Sequence, residues 1–383
     1  MTQAASSPPT PAAATETELG YLSHDGTTQI RALLWEPAAV AAVVAGSAAA
    51  AAAATPIAAA ADATAAADAA ATAATPIAAP ADAIATATTT PIAATATSSA
   101  VPCGIVQIAH GMAEHIERYR PFARFLAQNG FVVCGNDHLG HGKSVGNTSD
   151  WGHLPAKTGK DILIADVRQL HDLIAARYPT QTPYILFGHS MGSFIVRCYA
   201  AWHGKGLAAA IVCGTGQQPL ALSRAGHALA VLLGMLHGET HRSTFVDSMG
   251  VGGYAKAYPK ARTPLDWLSY DEANVDAYIE DPACGFMFST GGYAALTALM
   301  AEVVTNQCAR AIPINLPLLF IAGADDLVGA KGTGVQRAAN QLRAVGHSKL
   351  TVKLYPAMRH EILLETKHQQ VFNDIRDWLQ EVL

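Results

Sequence analysis

The run Gly188-His189-Ser190-Met191-Gly192 sets a serine between glycines, directly after the apolar stretch Tyr184-Ile185-Leu186-Phe187 and before a helix-like pattern. A strand that turns sharply into a helix at Gly-x-Ser-x-Gly exposes the serine hydroxyl at the helix N-terminus as a nucleophile. The glycines have a mechanical task, because the turn strains its central residue and crowds strand against helix. With 32 glycines in 383 residues the pentapeptide alone is a weak signal, so the strand and helix context carries the reading. The plain alternative is a serine that only caps the helix.

A serine hydroxyl attacks only when a base takes its proton, and the base needs a carboxylate to fix its tautomer. Strand-like residues 316–321 lead into Gly323-Ala324-Asp325-Asp326-Leu327-Val328-Gly329, where Asp325 and Asp326 compete as the acid. Residues 350–355 lead into Pro356-Ala357-Met358-Arg359-His360-Glu361 and supply the histidine. Loops at the carboxyl ends of strands are where sites in open α/β sheets assemble. An oxyanion also needs two fixed donors. The backbone NH of Met191 supplies one, and that of Met112, in His110-Gly111-Met112-Ala113-Glu114-His115 after the strand-like residues 105–109, is assigned the other. Glu114, His115 and Arg118 read either as site residues or as anchors. Asp137, His138 and His141 could be taken for metal ligands, but surrounding glycines mark a turn and no further cluster has zinc spacing. They are read as fastening a loop, and no metal or cofactor is expected.

These residues need a scaffold. Strand-like runs at 105–109, 131–135, 184–187, 208–213, 316–321 and 350–355 alternate with helical patterns at 118–128, 158–177, 191–203, 334–345 and 367–383. Such alternation predicts an α/β fold with a mostly parallel central sheet covered by helices on both faces. The core comprises residues 19–37, 101–213 and 313–383. Alternation lapses over 214–312, which is placed to act as an inserted helical cap or lid. Its apolar run holds Leu229, Leu232, Leu233, Met235 and Leu236, expected to face the site and bind substrate. The same run would suit an amphipathic helix packed on the domain, or peripheral contact with a membrane if it faced outward.

Residues 1–18 read as a disordered tail without signal-peptide character. Residues 38–100 form an Ala/Thr-rich low-complexity insertion in which Thr-Pro-Ile-Ala-Ala recurs at Thr55, Thr75 and Thr90. It is expected to be flexible and to lengthen the connection between strands at 28–35 and 104–109. Lys and Arg number 25 against 30 Asp and Glu, a formal charge of −5 with no basic stripe, which argues against nucleic acid as a partner. Six scattered cysteines without ligand or C-x-x-C spacing suggest reduced thiols and a cytoplasmic protein.

On these motifs the chain resembles the α/β-hydrolase superfamily, within it the monoacylglycerol lipase and lysophospholipase branch catalogued beside the serine aminopeptidases. The likeness spans residues 19–35 and 104–383. It rests on His110 to His115, Arg118-Tyr119, Asp137-His138-Leu139-Gly140-His141-Gly142-Lys143-Ser144, the Ser190 pentapeptide, Asp326-Leu327-Val328-Gly329 and Arg359-His360-Glu361. It implies a catalytic triad of Ser190, Asp326 and His360, with Met112 and Met191 as oxyanion donors. Asp326 is preferred to Asp325 because the family's acid precedes Pro-Val-Gly, here Leu327-Val328-Gly329. Departures are Ala113, where the lipases commonly carry glycine, and the insertion. The implied activity is cofactor-free cleavage of carboxylic esters, of monoacylglycerol or lysophospholipid type, through an acyl-enzyme. A short-chain carboxylesterase, thioesterase or aminopeptidase would share the machinery. A non-catalytic ligand-binding relative is disfavoured because all three triad residues are present.

Overall fold

Eight strands pair into one sheet in a computed structural model that describes residues 14–43 and 101–383. They are β1 (Thr15–Leu22), β2 (Gln29–Glu36), β3 (Ile105–Ala109), β4 (Val132–Asn136), β5 (Tyr184–His189), β6 (Leu207–Cys213), β7 (Leu318–Gly323) and β8 (Leu350–Tyr355), in the order β1-β2-β4-β3-β5-β6-β7-β8. All pairings from β4 to β8 are parallel, and β2 runs antiparallel to β1 and β4. The sheet is thus mostly parallel, and the chain has the α/β-hydrolase fold.

Central strands covered on both faces lose the usual alternation of polar and apolar residues. In β5 every residue is buried, with Ile185 and Phe187 in one core and Tyr184 and Leu186 in the other. The first core is closed by Phe122 and Leu126 of α1 (Arg120–Gln128) and by Phe372 and Trp378 of α10 (His368–Val382). The second takes residues from α2 (Gly159–Ala175), α3 (Met191–His203) and α9 (Thr333–Ala344).

Residues 15–18 were expected in a disordered tail, but β1 begins at Thr15 and pairs along its whole length with β2. The stretch Thr15-Glu16-Thr17-Glu18 lacks an apolar face, so nothing in its pattern marks a strand. Backbone pairing and polar contacts hold it: Trp35 Nε1 donates to Glu16 at 2.9 Å, and Arg31 Nε to Glu18 at 2.9 Å. The expected flexible insertion falls mostly on residues 44–100, outside the described residues. It connects β2 to β3, whose observed bounds lie within one residue of those expected.

Between β6 and β7 the chain forms α4 (Leu220–His237), α5 (Thr244–Met249), α6 (Glu272–Glu280), α7 (Thr290–Val303) and α8 (Asn306–Ala311). Trp267, Leu268, Tyr278 and Cys284 make a separate small core that packs on Leu327 and Val328 after β7. In α7, Tyr293, Leu296 and Leu299 join the main core beside α3, because that helix is apolar on most of its circumference.

Candidate active site

Ser190 stands between β5 and the 13-residue α3 with φ +53° and ψ −118°. A Cβ at Gly188 would run into the Gly192 carbonyl, and one at Gly192 into the carbonyls of Ala109 and His110, so the elbow can close this tightly only with glycine at both positions. The Ser190 NH donates to the Cys213 carbonyl at 3.0 Å, tying the turn to the end of β6.

Of the two competing acids, Asp326 is the one that meets the histidine. Its Oδ1 lies 3.0 Å from His360 Nδ1 and accepts from the Val328 NH at 2.9 Å. Asp325 turns outward and accepts from the Tyr270 hydroxyl at 3.1 Å. Asp326 and His360 are both buried, and the His360 ring lies 4.6 Å from His189 and 5.4 Å from Trp267 between centroids. Ser190, His360, Met112 and Met191 share the wall of one cavity of about 650 Å³. Among the described residues no hydrogen bond joins the Ser190 hydroxyl to His360 Nε2; such contacts are commonly open without substrate and tighten in the complex.

Met191 is the first residue of α3, where backbone NH groups have no intrahelical acceptor. Met112 precedes Ala113, which takes φ +53°. Glycine enters that region freely, whereas alanine gives up about 1–2 kcal/mol, so the departure noted at Ala113 falls on a strained position. The strain is held in place from the cap: the Ala113 carbonyl accepts from the Gly285 NH at 2.9 Å and the Tyr278 hydroxyl at 2.8 Å.

Glu114 and Arg118 are anchors behind this loop. Glu114 Oε1 accepts from the Gly111 NH at 2.5 Å and the Tyr119 hydroxyl at 2.8 Å, while Oε2 accepts from Arg118 at 2.9 Å. Arg118 also bonds Glu361 and Asn274. His189 lies 3.4 Å from Glu114 Oε1. Burial disfavours charge on both, yet hydrogen bonding and mutual attraction prevail: the His189 imidazole is raised above its ordinary value, and the Glu114 carboxyl, also facing Arg118, is held well below its own. Sequence reasoning gave no role to His189, Glu361 or Trp267. The first was hidden inside the serine motif, and the others depend on contacts across the fold.

Asp137 fastens its loop by accepting from the NH groups of Ile116 and Lys143, each at 2.9 Å. His138 and His141 instead pack with His110 in a fully buried cluster away from the cavity wall.

The cap expectation needs correction. Leu229 lines the cavity together with Leu222, Ala225 and Gly226, but Leu232, Leu233, Met235 and Leu236 do not. The apolar stripe continues along α4, but the helix outruns the cavity. Leu233 packs on the main core, while Leu232, Met235 and Leu236 are 47%, 73% and 66% exposed. The remaining wall is mainly apolar, including Phe194, Trp267, Phe286 and Met300.

The strand order, the elbow at the end of β5 and the acid and histidine after β7 and β8 define an α/β-hydrolase. Residues 100–367 match the family model described as Serine aminopeptidase, S33. Among curated proteins, a monoacylglycerol lipase of Mycolicibacterium smegmatis is 29% identical over 294 residues, covering 74% of this chain and 90% of that protein. Human monoglyceride lipase is 26% identical over 293 residues, covering 74% and 84%. The structure of a highly thermostable carboxyl esterase from Bacillus coagulans, in complex with glycerol, superposes with a TM-score of 0.75 at 26% identity, covering 96% of this chain and 98% of that one. The chain belongs to the serine aminopeptidase S33 family, in its monoacylglycerol-lipase-like branch, and is a serine ester hydrolase.

Proposed function

We propose that Ser190, His360 and Asp326 act as a catalytic triad on lipid esters of the monoacylglycerol or lysophospholipid type. His360 Nε2 takes the Ser190 proton as Oγ bonds to the acyl carbon, and the NH groups of Met112 and Met191 hold the resulting oxyanion. Collapse breaks the ester C–O bond, the proton passes from His360 to the departing alcohol, and an acyl-serine remains. Water, deprotonated by His360, then releases the acid and restores the serine. Asp326 keeps Nδ1 protonated and stabilises the imidazolium.

The observation that carries this reading is the convergence of Ser190, His360, Met112 and Met191 on one largely apolar cavity. Its volume of about 650 Å³ lies within the range of about 300–1,000 Å³ that encloses most of a drug-sized ligand. Exposed Leu232, Met235 and Leu236, with Leu222, Phe245 and Met249 nearby in sequence, support docking of the cap on a lipid surface. The relatives named as monoacylglycerol and monoglyceride lipases support the same substrate class.

Hydrolysis rates on monoacylglycerols and nitrophenyl esters of graded chain length test the substrate class. Turnover of medium or long monoacylglycerols is expected. Turnover confined to the shortest acyl chains would replace this reading with a short-chain carboxylesterase.

A further inference from the structure

His115, Asp281 and Cys284 come together beside the oxyanion loop, none of them on the wall of the substrate cavity. One donor atom from each lies within 4.8 Å of the other two. His115 follows the loop after β3, whereas Asp281 and Cys284 follow α6 in the cap, so 166 residues separate His115 from Asp281. No local motif could reveal this grouping.

We propose that these three side chains form a binding site for a thiophilic divalent cation of the zinc class. Histidine nitrogen, carboxylate oxygen and cysteine sulfur are the donors such an ion takes, at about 2.0–2.3 Å and in tetrahedral array, which sets ligand atoms about 3.3–3.8 Å apart. The three donors already lie within 4.8 Å of one another, about 1 Å beyond the upper end of that spacing at most. His115 Nε2 and Asp281 Oδ2 now share a 2.8 Å contact that the ion would open and occupy. The second oxygen of Asp281 accepts from the Ala283 NH at 2.8 Å, leaving Oδ2 aimed at His115.

Charge and access both suit a cation. Arg118 is already matched by Glu114 and Glu361, so the Asp281 carboxylate adds local negative charge. Cys284 is buried, but the Asp281 side chain is 35% exposed, so an ion enters from solvent and keeps a water as its fourth ligand. A filled site would tie the cap to the oxyanion loop, because Gly285, next to Cys284, donates to the Ala113 carbonyl two residues before His115.

Titration of the untagged full chain with Co²⁺, in a Cys103→Ser background that removes the exposed thiol, tests the site without reference to ester hydrolysis. The expected result is a near-ultraviolet thiolate-to-cobalt charge-transfer band that saturates at one ion per chain and is erased by Zn²⁺. Cys284→Ser abolishes the band, and His115→Gln and Asp281→Asn each weaken Co²⁺ binding at least about tenfold. The latter two alter partly exposed positions, so the test holds if Cys284→Ser fails to fold. Absence of the band in the background protein, its survival in Cys284→Ser, or unchanged affinity in His115→Gln would overturn the proposal.

Discussion

Acid should unfold this protein through three histidines that stay neutral in the folded state. His110, His138 and His141 are fully buried, with ring centroids 4.2 Å apart for His110 and His138 and 5.2 Å for His110 and His141. Burial and the neighbouring rings depress all three, His138 to about 3, His141 to about 4, and His110 well below its ordinary value. Unfolded, each would protonate near the ordinary histidine value of about 6.5. The unfolded chain therefore binds more protons below that pH, and stability that is complete above it is lost as pH falls. At pH 5 the interval is about 1.5 pH units, and at about 1.36 kcal/mol per unit His138 and His141 each remove about 2 kcal/mol. That figure barely depends on the folded value once it lies at 4 or below. Together these two remove up to about 4 kcal/mol and His110 adds to the loss in the same direction, a large part of the whole stability of an ordinary domain. Asp137 and Asp166, whose carboxyls burial raises, pull the other way at the acid end, and His189, which Glu114 raises despite its burial, offsets part of the loss between pH 6.5 and 5. Urea midpoints at pH 8, 7, 6 and 5 measure it. In His138→Leu one proton drops out of the slope; because neither ring nitrogen of His138 has a partner among the described residues, the substitution loses no side-chain hydrogen bond. A midpoint that stays level from pH 8 to 5, or a His138→Leu curve parallel to the wild type, would refute the reasoning.

Glu114→Ala frees the Gly111 NH and Arg118 behind the oxyanion loop, and is expected to lower kcat about 10–100-fold with little change in KM; an equal loss through KM alone would show that the loop does not need this anchor. Asp326→Asn should cost about 10³–10⁴ in kcat and Asp325→Asn less than about threefold, since only Asp326 reaches His360; comparable losses would reopen the choice of acid. Changing Leu232, Met235 and Leu236 together to serine should weaken sedimentation with phospholipid vesicles at least about tenfold and leave turnover of a soluble nitrophenyl ester unchanged, because these side chains lie outside the cavity. Unaltered vesicle binding would place any lipid contact elsewhere.

What could be read from sequence was whatever depends on local backbone pattern. The apolar run of β5 ending in glycines needs no tertiary information to be recognised, and the acid and histidine follow strands of similar legibility. Asp325 and Asp326 could not be separated by their own neighbours; only the direction of each side chain does so, Asp325 toward Tyr270 and Asp326 toward His360. Thr15 to Glu18 hid a strand because its stability comes from β2 and from Arg31 and Trp35, not from an apolar face. The run in α4 was misplaced for a related reason: periodicity shows which side of a helix is apolar, but not where along its length the cavity stops. Trp267, which tilts over His360, belongs to a cap segment with little periodicity, so nothing nearby announced it.

The central claim is that Ser190 is the nucleophile, and covalent labelling tests it most directly. A fluorophosphonate probe should label the wild-type chain stoichiometrically and abolish ester hydrolysis, with the adduct on Ser190 by peptide mass spectrometry. Ser190→Ala, folded to the same urea midpoint, should take up no label. Undiminished labelling of Ser190→Ala, or an adduct on any other residue, would contradict the account.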